Sequence, residues 1–198
     1  MDQFSEEPKK IRARIRRYER NLRKEYEKFG FIHDGSGNRY LLGPLYMVLG
    51  DTVGAIKSFE WFEETFPDDI GEPFQYLCWT LALYRSGDLE AAAQKLRQTM
   101  LSNLYLIPHL LGSEQEEFDI WHGSNFEQKD YLQDAPPEIY GLWDDEDLQW
   151  VKETYHSPQF YQVRERYIEI YRQLDSEPPG PKRSQLVEEA FGLQGWAK

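Results

Sequence analysis

The chain has 198 residues, a formal net charge of −12, and thirty aromatic residues (Tyr 13, Phe 11, Trp 6). That length supports one ordinary hydrophobic core, and the 40% apolar content argues against wholesale disorder. No apolar run approaches the ~20 residues needed to span a bilayer. The N-terminus, MDQFSEEPKKIRARIRR, is charged where a secretory signal would be apolar. The single cysteine, Cys78, excludes an internal disulfide framework and a multi-cysteine metal site. The expected compartment is cytoplasmic, with no membrane association.

Residues 9–29 predict one helix. Ile11, Ile15, Tyr18, Leu22, Tyr26 and Phe29 recur at steps of four and three. Pro8 and Gly30 bracket the stretch as start and stop signals. The segment carries ten Lys/Arg against three Asp/Glu, a net +7, whereas residues 30–198 sum to −16. Arg12, Arg16, Arg20 and Lys24 stand four residues apart, a like-charge spacing that weakens an isolated helix. The expected resolution is docking on the acidic body or a solvated face. Contact of these four residues with nucleic acid or another acidic partner is the less favoured reading.

A turn-rich stretch, HDGSGN, follows at 33–38. Asp34, Ser36 and Asn38 alternate as calcium-loop ligands would. Arg39 replaces the required glycine, however, and Leu45 stands in place of the bidentate glutamate. Two helix–turn–helix units come next. The first pairs 39–49 with 52–66 across Gly50-Asp51. The second pairs 73–86 with 89–101 across Gly87-Asp88, thirty-seven residues on.

The first unit resembles the tetratricopeptide repeat family. Gly43 takes the small position, Tyr46 follows three residues on, and Gly50 marks the turn. Ala55 and Phe59 supply the small–large pair of the second helix, Pro67 the stop, and Tyr40 stands at the head. The unit at 73–104 is degenerate. Gly87, Ala92 and Leu96 fit, while Thr80, Leu83 and Leu104 depart. The resemblance implies an all-α fold: a short α–α superhelix of TPR-like antiparallel hairpins with extra terminal helices. It also implies a concave groove lined by Tyr40, Met47 and Val48 from the first unit and by Leu77, Tyr84 and Arg85 from the second.

Residues 102–143 are less regular. Their Phe118, Ile120, Trp121, Phe126, Tyr131, Ile139, Tyr140 and Trp143 are too apolar for a linker, so the segment is expected to wrap on the body. Helices resume at 145–155 and 159–174. SEPPGPKRS, at 176–184, reads as a linker before a short helix at 185–191. The expected organisation is therefore one helical domain over 1–175, with 176–198 as linker and terminal helix.

Enzyme motifs are absent: there is no Walker A loop, G-x-S-x-G elbow, H-E-x-x-H pair or G-x-G-x-x-G. Glu117, Asp119 and His122 share one loop but read as solvated polar residues, and Cys78 as a buried thiol. No catalytic residue, metal or cofactor is assigned. The expected function is a non-catalytic scaffold binding a protein or peptide. Nucleic-acid association through residues 9–29 is the alternative, as is an acidic partner that neutralises a basic protein.

Overall fold

A computed structural model describes residues 7–195. Those residues are all-α, with eleven α-helices, one 3-10 helix and no strand. No helix among them is long and apolar enough to cross a membrane. They divide into two compact units. One comprises residues 7–92 with Pro136–Trp143. The other comprises Ala93–Ala135 with residues 144–195.

The first unit begins with α1 (Pro8–Phe29), whose Pro8 occupies the first turn and whose end is capped by left-handed Gly30. Ile11, Ile15 and Leu22 are buried, and α1 packs on α2 (Asn38–Val48). The apolar stripe does not stay buried to its end. Tyr26 and Phe29 are 58% and 52% exposed. Asp34 starts α2: its carboxylate accepts from the Asn38 and Arg39 amides at 3.0 and 2.8 Å.

The Gly-Asp turns are built alike. Gly50 and Gly87 both adopt the left-handed region, at φ 72° and 87°. The Asp51 and Asp88 amides then donate to the carbonyls of Tyr46 and Leu83, at 3.0 and 3.1 Å. The same aspartates cap the next helix, α3 (Thr52–Thr65) or α5 (Leu89–Ser102). Their carboxylates accept from Gly54 and Ala91 at 2.8 and 3.1 Å. Ala55 and Ala92, at matching offsets, are fully buried, as are Phe59 and Leu96. Between them, α4 (Pro73–Ser86) packs against both α2 and α3. Gly43 lets α2 and α3 approach: a Cβ there would lie 2.1 Å from the Phe59 ring.

In the second unit the irregular segment is tied down from inside. Buried Asn103 donates to the carbonyls of Phe126 and Gln128 and accepts from the Tyr105 amide. The Tyr105 hydroxyl accepts from the Phe118 amide at 3.0 Å. The segment therefore satisfies its backbone through buried side chains rather than through long helices. It carries α6 (Leu106–Leu110), the 3-10 turn Asn125–Glu127 and α7 (Tyr131–Asp134). Its continuation, α8 (Pro137–Tyr140), belongs to the first unit and packs on α2.

The remaining helices are α9 (Asp145–Tyr155), α10 (Pro158–Ser176) and α11 (Pro181–Gln194). Asp144 and Asp147 form a capping box on α9. Arg166 of α10 grips Glu189 of α11 at 2.6 and 2.7 Å. The last helix is longer than the expected 185–191. Pro181 sits in its first turn, where a missing N–H costs nothing, and the helix runs through Gly192 to a left-handed cap at Gly195.

Two sets of substitutions check this packing. Gly43→Ala should destabilise the chain by about 1–3 kcal/mol through collision with Phe59. Gly35→Ala, whose new methyl would meet only ordinary contacts, should stay within about 0.5 kcal/mol. Ile15→Asp should cost several kcal/mol, about what an unpaired buried charge costs. The exposed double change Arg16→Glu with Arg20→Glu should leave thermal unfolding nearly unchanged.

Candidate functional site

The six residues implied to line a groove do not form one open surface. Met47 and Leu77 are buried, and Val48 and Tyr84 are half-buried. Arg85 is exposed, and its Nη2 donates to the Leu142 carbonyl at 2.8 Å, so it meets the returning segment that carries α8. Tyr40 is held in a polar network. Its hydroxyl donates to Asp69 at 2.8 Å and accepts from Arg39 Nη2 at 2.6 Å. Arg39 Nε donates to Asp69 at 2.8 Å, and the guanidinium lies over the Tyr40 and Phe66 rings at 4.3 and 4.9 Å. Burial, then the hydrogen bond to Asp69 and its charge, pushes the Tyr40 pKa well above the ordinary phenol range.

Arg12, Arg16, Arg20 and Lys24 are all exposed and make no ion pair among the described residues. This is the solvated face of α1, not a docked one. The Asp34 carboxylate serves as the helix cap described above. Among the described residues, no group of three His, Cys, Asp or Glu is placed to hold a metal ion. Cys78 is fully buried, which drives its thiol pKa well up.

Besides an open depression beside Arg39, Tyr40 and Asp69, the first unit has a concavity between α1, α2 and α3. It has a volume of about 790 Å³. Buried Leu22 and Leu42 form its apolar base. Tyr26, Tyr46 and Trp61 supply aromatic surface, one from each helix, and exposed Arg23 and Lys57 add charge. The Tyr46 hydroxyl donates to Glu19 at 2.7 Å, tying α2 to α1 across the opening. Gly54 makes room for the Tyr46 ring, since a Cβ there would lie 2.6 Å from it.

Sequence reasoning did not assemble this groove. Its aromatics come from three helices and carry no shared local spacing. The usable signal was Gly54, one residue before Ala55, where a second close helix approach is needed. No family model, curated protein or solved structure matches the chain.

The polar network beside Tyr40 makes a pH prediction. Glu72 has its pKa pushed up to about 7, mainly by burial and further by Asp69, against an opposing pull from Arg39. The folded chain thus holds a proton at Glu72 that the unfolded chain releases near its ordinary value of about 4.3. Glu72's contribution is most favourable below that value and is lost as pH rises towards 7. Glu72→Gln should raise stability by about 1 kcal/mol near pH 8, a figure discounted for partial exposure. It should bring no gain near pH 4. Thermal melts of both proteins at the two pH values check this.

Proposed function

We propose that this chain is a non-catalytic, TPR-like helical-repeat scaffold that binds a segment of another protein. The twin Gly-Asp turns, with their matching hydrogen bonds, capping aspartates and buried alanines, support the repeat reading. The observation that carries the binding reading is the groove between α1, α2 and α3. Its volume of about 790 Å³ falls within the range of pre-formed ligand sites. Its three aromatic walls are the residue types that dominate interface energetics.

A second reading is favoured by the exposed, unpaired cations of α1: nucleic-acid association through Arg12, Arg16, Arg20 and Lys24. It competes with the acidic balance of the rest of the chain, which repels phosphate at long range.

Panning a phage-displayed peptide library against the full chain tests the scaffold. Peptides should enrich to a consensus. Their affinity should fall at least about tenfold on Tyr26→Ala combined with Lys57→Glu, with melting unchanged because both side chains are exposed. Absence of enrichment, or enrichment indifferent to both substitutions, overturns the groove as the docking site.

A further inference from the structure

We infer that the groove between α1, α2 and α3 selects an acidic peptide segment with apolar anchors, and that a column of arginines on α1 does the selecting. This rests on the scaffold reading and names its partner class. With about 3.6 residues per turn, residues 12, 16, 19 and 23 fall on one line along α1. Glu19 and Arg23 of that line border the groove. Arg12 and Arg16 continue it towards the helix N-terminus, beyond the residues that border the groove, so an occupant that runs out of the groove along α1 meets three arginines and one glutamate. That glutamate is already engaged by the Tyr46 hydroxyl at 2.7 Å.

Arg12, Arg16 and Arg23 are exposed and without an ion pair among the described residues. Lys57 adds a further exposed cation from α3. Arg12 and Arg16, like charges one turn apart, weaken the helix that carries them, and carboxylates on an occupant would relieve that cost. The base of the groove asks for something else. Leu22 and Leu42 are already buried at 3% exposure each, so the open apolar surface comes from Tyr26, 58% exposed, with half-buried Tyr46 and Trp61 beside it. One occupant meets both demands: a segment with aliphatic or aromatic residues on one face and Asp or Glu beside them. A nucleic-acid strand matches the cations, but stacking its bases needs open ring faces, and Tyr46 and Trp61 are half-buried.

The probe is a fluorescein-labelled peptide of about 15 residues with Leu one helical turn apart and Glu between them. Controls replace every Glu by Gln or by Lys, and a single-stranded oligonucleotide of similar length is run beside them. Titrated with the full chain, the Glu peptide should bind, and its affinity should fall several-fold between about 50 and about 300 mM salt. The Gln peptide should bind at least about tenfold more weakly and the Lys peptide not at all. Arg12→Ala, Arg16→Ala and Arg23→Ala together should weaken the Glu peptide at least about tenfold. Melting should be unchanged, since none of the three is buried.

Equal binding of the Glu and Gln peptides overturns the charge inference while leaving the scaffold standing. Failure of the Glu peptide, with the oligonucleotide retained through the same arginines, overturns it in favour of nucleic acid. Arginine-dependent dimerisation of the chain that excludes the Glu peptide, seen by sedimentation, overturns it in favour of a second copy. Library enrichment judges the scaffold reading separately.

Discussion

The first unit depends on the absence of one carbon atom. At Gly43 the Phe59 ring occupies the place a Cβ would take. This sets the distance between α2 and α3 and therefore where everything attached to them can sit. Phe59 passes the constraint on, because its ring stacks on Trp79 of α4 at 5.2 Å and 10°. Tyr40 of α2 meets Phe62 of α3 at 5.8 Å, and Phe62 meets Phe66 at the same distance. A close-packed interior transmits such a spacing instead of absorbing it. The groove beside α1 is shaped by the same hairpin, since Tyr46 fits only because Gly54 stands opposite.

Much of this was legible because it is local. A left-handed glycine followed by a capping aspartate is a turn whose two residues have separate physical jobs, and both Gly-Asp pairs perform them. The apolar stripe of α1 identified its buried face but not how far that face stays covered. Period alone carries no information about the length of the surface opposite, and Phe29, in register with the stripe, is 52% exposed. At the C-terminus the cluster of prolines and glycine read as a linker, whereas Pro181 is a helix start.

What the local pattern could not show is long-range. Asn103 reaches across more than twenty residues to the carbonyls of Phe126 and Gln128. No spacing rule anticipates an amide that organises a loop this way. The meeting of Tyr26, Tyr46 and Trp61 has the same character. Each reads in its own helix as ordinary amphipathic surface, and only the packing angle of three helices brings them to one wall. The residues placed in the groove by family resemblance show the complementary limit. An offset transfers a position along a helix but not its surroundings, so Met47 and Leu77 are buried while Arg85 meets the segment that carries α8.

The charge on α1 separates what folding requires from what it merely allows. Packing of that helix uses Ile11, Ile15 and Leu22, and its ends are set by Pro8 and Gly30. None of these needs an arginine. The acidic and basic groups that the first unit does use include Glu19 and Glu25 of α1 and the network of Arg39, Asp34 and Asp69, where each charge has a named partner. By contrast, a like-charge column on a solvated face costs the helix a few tenths of a kcal/mol per pair. It relieves no strain and satisfies no buried group. The column of Arg12, Arg16, Arg20 and Lys24 therefore opposes the local stability of its own helix, and the packing of α1 does not account for it.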